Sequence, residues 1–358
     1  MRSGFFFSNF APMPETKKDI RALTREQLRH FFVSKGDKAF RGNQVYEWLW
    51  QKSAYSFDGM TNLSKETRQM LEDYFVINHI RVDQMQRSND GTIKNAVQLH
   101  DDLVVESVLI PTDTRTTACV SSQVGCSLDC KFCATARLKR MRNLNPDEIY
   151  DQVVAIDNQS KLYFDRPLSN IVFMGMGEPL MNYNNVLKAI DKITSPDGLG
   201  MSPKRITVST SGVPKMIKKM ADEGVKFNLA VSLHSAIDEL RTSIMPFNAT
   251  FPLSDLRESL QYWYQKTKKR ITYEYVVWEG INDTQKDVDA LVKFCRFAPS
   301  KVNLIEYNPI DDGEFSQASE EAIQRYVHTL EKNHITVTIR RSRGKDIDAA
   351  CGQLANKG

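Results

Sequence analysis

Cys126, Cys130 and Cys133 lie in one stretch, Gly125-Cys126-Ser127-Leu128-Asp129-Cys130-Lys131-Phe132-Cys133, and make up half of the six cysteines in a chain of 358 residues. Thiolate is the ligand of biological iron–sulfur sites, and three thiolates from one short loop can hold three corners of a cubane cluster. No fourth ligand follows nearby, so one iron would stay open to bind something else. Zinc is the competing reading. It ordinarily takes four ligands, as two Cys-x2-Cys pairs or a Cys/His set, and neither follows this loop. Three unrelated free thiols are the remaining possibility.

Other groups able to do chemistry are scattered along the chain. In Met174-Gly175-Met176-Gly177-Glu178-Pro179, glycine lets the backbone approach a ligand closely, and Glu178 can hold an ammonium. An ordinary tight turn accounts for the same letters. Ser209, Ser232-Leu233-His234 and Asn308 close three strand-like runs, where serine and asparagine are also favoured simply as turn residues. A lone histidine is ordinarily structural. Cys351 lies among small residues in Asp346–Leu354, where Gly352 would let a tail move and expose the thiol. Cys119 precedes the triad on a strand-like run, and Cys295 sits on an apolar helix face. By default each is a buried small hydrophobe.

The elements that must position these groups follow from periodicity. Residues 1–15, with Pro12 and Pro14, are expected to be a loose leader. Helical patterns follow: Thr24 caps a helix with Leu28, Phe31, Phe32 and Val33 on its apolar face, and further helices carry Gln44–Leu49 and Leu63–Phe75. Ile77–Val82, Lys94–Leu99, Val104–Ile110 and Thr116–Ser121 read as strands, with a turn at Asn89-Asp90-Gly91. Strands at Asn170–Met174, Arg205–Ser209, Phe227–Leu233, Ile271–Val277 and Val302–Tyr307 then alternate with helices near 146–161, 183–194, 214–223, 254–267, 284–297 and 318–333. Six βα units imply an α/β fold with a parallel sheet, open or closed into a partial barrel. The site then belongs at the carboxyl ends of the strands.

Composition is that of an ordinary globular protein, 41% hydrophobic and 26% charged. No apolar run is long enough for a transmembrane helix, and Phe5-Phe6-Phe7 lacks the rest of a signal peptide. Clustered cysteines suit a reducing compartment, so a cytoplasmic location is expected. The net charge of +4 falls within residues 1–100, which carry 15 Lys+Arg against 11 Asp+Glu. That excess fits a module approaching phosphates or an ordinary solvated surface.

The Cys-x3-Cys-x2-Cys spacing resembles the signature of the radical S-adenosylmethionine (SAM) superfamily. More specific blocks resemble the bacterial RlmN-type enzymes, which methylate carbon-2 of adenine in 23S rRNA. These blocks are Phe40-Arg41-x-x-Gln44 with Trp48, Met60–Lys65, Glu106 before Ile110-Pro111, Cys119–Cys126, Arg142-Asn143-Leu144, the Gly-Met-Gly-Glu-Pro stretch and Asp346–Leu354. The resemblance implies a partial (β/α)6 TIM-like radical SAM barrel over 112–340. It also implies a helical accessory domain docking RNA over 1–76, a β-rich extension over 77–111 and a tail over 341–358. It implies a [4Fe–4S] cluster on Cys126, Cys130 and Cys133, and SAM held by Gly177, Glu178, Ser209, Ser232, Leu233, His234 and Asn308. Cys351 would carry an S-methyl group, Cys119 would form a transient disulfide with it, and Glu106 would accept a proton; a strand-end surface acid is the alternative for Glu106. The implied partners are 23S rRNA before ribosome assembly is complete, tRNA (at adenine-37) and an electron donor such as flavodoxin or ferredoxin, with no membrane and a monomeric chain. After the cluster loop, Ala136–Met141 stands where the family usually has a glycine-containing turn. A Cfr-type carbon-8 methyltransferase, and a non-catalytic RNA-binding protein with a structural metal, are the other functions considered.

Overall fold

The computed structural model describes residues 17–310 and 314–356, in two compact units, Met1–Asn78 and His79–Gly358. The leader expected over 1–15 lies outside the described residues.

In the first unit, α1 (Arg25–Ser34) begins with a reciprocal cap: Gln27 N–H donates to Thr24 Oγ1 at 3.2 Å, and Thr24 N–H to Gln27 Oε1 at 2.8 Å. Helices α2 (Phe40–Trp50) and α3 (Lys65–Tyr74) complete a bundle around Leu28, Phe32, Val45, Leu49, Met60 and Leu71. Val33, expected on the apolar face, is exposed. The short strands β1 (Lys18–Asp19) and β2 (Phe75–Val76) pair in parallel and bring the ends of the bundle together.

The second unit is built on one ten-stranded sheet. Strands β3 (Arg81–Arg87), β4 (Ile93–Gln98) and β5 (Val104–Pro111) form an antiparallel arm that joins β6 (Thr116–Cys119). Residues 81–111 are therefore continuous with the main sheet, whereas Ile77 and Asn78 fall in the first unit. The first strand of the arm starts at Arg81 rather than Ile77. It is an exposed edge strand of polar residues, without the half-buried alternation by which strands are read.

After a two-stranded ribbon of β7 (Gln123–Val124) and β8 (Arg142–Asn143), helix and strand alternate: α4 (Pro146–Phe164), β9 (Asn170–Phe173), α5 (Tyr183–Thr194), β10 (Ile206–Thr210), α6 (Pro214–Asp222), β11 (Asn228–Ser232), α7 (Asp238–Ile244), α8 (Leu253–Thr267), β12 (Ile271–Val276), α9 (Gln285–Cys295), β13 (Ser300–Ile305), α10 (Glu320–Lys332) and β14 (Thr336–Arg340). Strands β6 and β9 to β14 run parallel in sequential order. Six parallel strands were expected, and β14 is a seventh. Its partly exposed, alternating Thr and Arg residues mark a sheet edge. No pairing links β14 back to β6 among the described residues, so the barrel is partial. Strand β12 is buried along its whole length, as expected where helices cover a parallel sheet.

Candidate active site

The cysteine loop is closed at its base by β7 and β8, with Val124 opposite Arg142. Gly125 has φ +74°, and a Cβ there would lie 2.5 Å from the Lys139 carbonyl oxygen, so only glycine fits. The return strand is pinned by Arg142, whose guanidinium donates to both oxygens of Asp101 (2.6 and 2.9 Å) and of Glu148 (2.8 Å each). At the far end of the loop, Phe132 packs edge-on against His234, ring centroids 4.8 Å apart, and against Trp278 at 5.1 Å. These rings continue into a core cluster of Ile244, Met245, Val276, Tyr307 and Phe315.

One half-open cavity gathers Cys126, Cys130 and Cys133 with Gly177, Glu178, Ser209, Ser232, His234, Asn308 and Cys351. These residues come from the cysteine loop, the carboxyl ends of several strands and the C-terminal tail. Leu233 does not line it. Its side chain is buried, and its carbonyl accepts a hydrogen bond from Arg241 Nε at 3.1 Å.

Burial pushes the Cys126 thiol up to about 11, and raises Cys130 and Cys133 as well. The two other thiols add to the effect at Cys130, and the buried Arg241 guanidinium opposes it. Three such thiols release their protons together only when a cationic centre compensates the charge. No three His, Cys, Asp or Glu side chains among the described residues converge tightly enough for a single metal ion. Arg241 comes from α7, a helix absent from the sequence reading. It ties neighbouring strand ends together by donating to the Ser211 and Ser232 carbonyls.

Gly177, at φ +92°, lies against Gln123, where a Cβ would approach the Gln123 Cβ to 2.5 Å. Gln123 Oε1 accepts the Glu178 N–H at 2.8 Å. The Glu178 carboxylate, buried on the cavity wall, accepts from Leu180 N–H at 3.0 Å and Ser211 N–H at 2.8 Å. Burial raises its pKa, and the Ser211 amide, the Thr210 hydroxyl, the Leu180 amide and the Ser211 hydroxyl oppose that rise. Asn308 donates to the Cys351 carbonyl at 3.2 Å, while its own Oδ1 is buried with no partner. An orphaned acceptor on a cavity wall fits a ligand N–H.

His234 has φ +57°, and its Nδ1 accepts the Val276 N–H at 3.1 Å, which leaves the proton on Nε2 in the neutral ring. Burial, and then Arg241, lower its pKa to about 3. It stays uncharged at neutral pH. Glu274 and Glu306 on the same wall were not picked out from the sequence. Glu274 is a lone acid in the otherwise uncharged run Ile271–Val276, a signal that was available.

The tail that carries Cys351 is docked rather than free. Ala134 N–H donates to the Gly352 carbonyl at 2.7 Å, and Thr135 Oγ1 to the Leu354 carbonyl at 2.6 Å. Glu106 lies off the cavity wall and is 1% exposed, which removes the surface-acid reading. Its Oε2 accepts the Ala355 N–H at 2.8 Å and the Asn356 N–H at 3.1 Å, and its Oε1 lies 3.4 Å from Lys94 Nζ. Removing one partner of a buried pair costs about 3–5 kcal/mol. Lys94→Met is therefore expected to lower the thermal midpoint and speed proteolysis of the tail; unchanged tail cleavage would refute the latch.

Cys351 is reachable from the cavity, yet the surrounding protein raises its thiol pKa, with Arg340 opposing. Cys119 is 6% exposed and on β6. Burial and then Cys351 push its thiol up to about 12, with Arg340 again opposing. The two sulfurs are thus within electrostatic reach of each other and of one guanidinium, although both are free thiols.

Residues 7–77 match the ribosomal RNA large subunit methyltransferase N-terminal domain, and residues 120–295 match the radical SAM superfamily. A probable dual-specificity RNA methyltransferase RlmN of Christiangramia forsetii is 78% identical over 97% of this chain and 99% of its own length. The chain belongs to the RlmN family of radical SAM RNA methyltransferases. A second RlmN relative, from Flavobacterium johnsoniae, is 76% identical over 95% of this chain and 98% of its own length. The crystal structure of a radical SAM methyltransferase from Sphaerobacter thermophilus superposes with a TM-score of 0.88, at 36% identity, over 94% of this chain and 99% of that one. RlmN membership brings with it SAM and a [4Fe–4S] cluster. No helix among the described residues is long and apolar enough to cross a membrane.

Proposed function

We propose that this enzyme methylates carbon-2 of adenine in 23S rRNA, before ribosome assembly is complete, and carbon-2 of adenine-37 in tRNA, by way of S-methylated Cys351. The observation that carries the reading is Cys351 on the wall of the cavity that holds the cysteine triad. Cys126, Cys130 and Cys133 hold the cluster. When bound, it supplies the electron that splits SAM into methionine and a 5′-deoxyadenosyl radical.

Adenine carbon-2 is electron-poor and cannot attack a methyl sulfonium as a nucleophile. Cys351 can, as a thiolate, and takes the methyl group of one SAM by displacement. Glu178 holds the ammonium of SAM, Asn308 Oδ1 accepts an N–H from it, and Ser209, Ser232 and His234 complete its site; Leu233, whose N–H and carbonyl are both engaged within the protein, only shapes the strand end beneath it. The S-methyl group of Cys351 gives up a hydrogen atom to the radical made from a second SAM, and the resulting methylene radical adds to carbon-2. Glu106, once its hold on the tail amides opens, accepts the carbon-2 proton, and the unpaired electron of the adduct would return to the cluster. Cys119, as thiolate, then attacks the Cys351 sulfur: the disulfide forms, the sulfur–methylene bond breaks, and the freed carbon takes up a proton to become the methyl group. Two electrons from the donor protein reopen the disulfide. The chain works as a cytoplasmic monomer, and a one-electron donor protein reduces it.

Mass spectrometry of RNA digested from cells with and without the protein tests this. 2-Methyladenosine is expected to depend on it. 8-Methyladenosine in its place would assign the Cfr-type reaction, and a colourless zinc protein that leaves SAM intact would end the radical reading.

A further inference from the structure

The outer face of the cysteine loop carries a feature the chemistry inside the cavity does not use. Residues 126–142 hold five basic residues (Lys131, Arg137, Lys139, Arg140 and Arg142) and one acid, Asp129, so this segment of 17 residues has a net charge of +4, as large as that of the whole chain. Arg142 is consumed by Asp101 and Glu148. Lys139 and Arg140 are exposed, and no acceptor engages them among the described residues.

The same surface is apolar at two points. Met141 is 58% exposed and Met181 45%, two of the four exposed large apolar side chains described in the second unit. Both adjoin the start of the loop: Met141 N–H donates to the Val124 carbonyl at 2.9 Å, and Met181 Sδ lies 3.9 Å from Ser127 Oγ. The Leu138 carbonyl accepts the Cys126 N–H at 3.4 Å, which fixes the basic strap directly on a cysteine of the triad.

RNA phosphate would match the cations but has no use for two bared methionines. Methionine and arginine around a small apolar centre are the composition of a protein-docking surface. The three cysteines line the cavity, and the Leu138 carbonyl next to Lys139 bonds the main chain of Cys126, so this strap offers a short path through protein to the iron those cysteines would hold.

We propose that Lys139, Arg140, Met141 and Met181 form the docking face for the electron donor, a small acidic protein carrying a flavin or iron–sulfur centre. This rests on the radical SAM reading of the cavity. Each encounter delivers one electron: the donor is oxidised by one electron, the cluster is reduced by one, and that electron is spent in breaking one carbon–sulfur bond of SAM. Charge complementarity speeds such encounters and makes them salt-dependent, and redox encounters bury little area.

The test uses cluster-loaded wild-type protein and the K139E/R140E variant, with flavodoxin hydroquinone as donor or with dithionite, which needs no docking. The variant should need at least tenfold more flavodoxin for half-maximal SAM cleavage, lose carbodiimide crosslinking to oxidised flavodoxin, and match the wild type with dithionite and in RNA affinity. The milder K139Q/R140Q variant, with an unchanged thermal midpoint, should fall between the two. An unaltered flavodoxin response overturns the proposal. So does lost RNA affinity with an intact flavodoxin response, which would give the face to RNA. Wild-type protein that leaves SAM intact with dithionite would instead overturn the radical reading itself, and the proposal with it.

Discussion

Cys351→Ala is expected to abolish RNA methylation while SAM cleavage under reduction continues. Among the described residues, the side chain lost is the only one on the cavity wall, apart from the cysteine triad, that carries a nucleophilic sulfur. Alanine removes the sulfur without disturbing how the tail is docked. The contacts of its neighbours, from Ala134 to the Gly352 carbonyl and from Asn308 to the residue 351 carbonyl, are made by main-chain atoms of the tail. The glutamate and glycine contacts proposed for SAM stay in place, so 5′-deoxyadenosine should still form. The measurements are mass spectrometry of digested RNA and chromatography of 5′-deoxyadenosine. Methylation at the wild-type level would end the two-cysteine mechanism. Loss of both products would mean a damaged site and would leave Cys351 without the role assigned to it.

The second large effect concerns release. Cys119→Ala should let the methylene bridge form and then leave it uncut, so that protein and RNA remain covalently joined and migrate together in a denaturing gel. The reason is local: Cys119, buried on β6, is close enough to Cys351 for that thiol to raise its pKa, and in the proposed reaction alanine has nothing to attack with. The same burial makes the step pH-dependent. A thiol raised to about 12 is almost entirely protonated at neutral pH, and the thiolate is the attacking form. Resolution in the wild type should therefore speed up as pH rises from 7 toward 9, while the variant stays joined at every pH. An RNA product released normally from Cys119→Ala would remove this role.

Much of the scaffold was legible because its elements are regular. Helices α4, α5, α6, α8, α9 and α10 follow apolar periodicity closely, and the cap at Thr24 is written in adjacent letters. What escaped was short or at an edge. Helix α7 spans only Asp238–Ile244, less than two full turns, and β14 alternates exposed polar residues as an edge strand does. In the site, the triad and Gly177-Glu178 could be read because their spacing is local. The coupling of Glu106 to the tail could not, since its partners lie 249 and 250 residues away and are main-chain amides, which leave no mark in side-chain identity. Arg241 and Arg340 were missed for a related reason. An arginine, buried like Arg241 or half-buried like Arg340, looks like any other until the carbonyls and carboxylate around it are known.

The tail is fastened to Ala134 and Thr135, the two residues that follow Cys133. The mooring for the proposed methyl carrier is therefore part of the loop proposed to hold the iron. If loss of iron slackens that loop, the carrier is released in the same event. An enzyme stripped of metal would then stop loading Cys351 and would not drain SAM into a methyl group it has no means of passing on. Methylation of Cys351, followed by the mass of the intact chain, should accordingly slow on chelation of the iron. An unchanged rate would show that the carrier is seated without help from the loop.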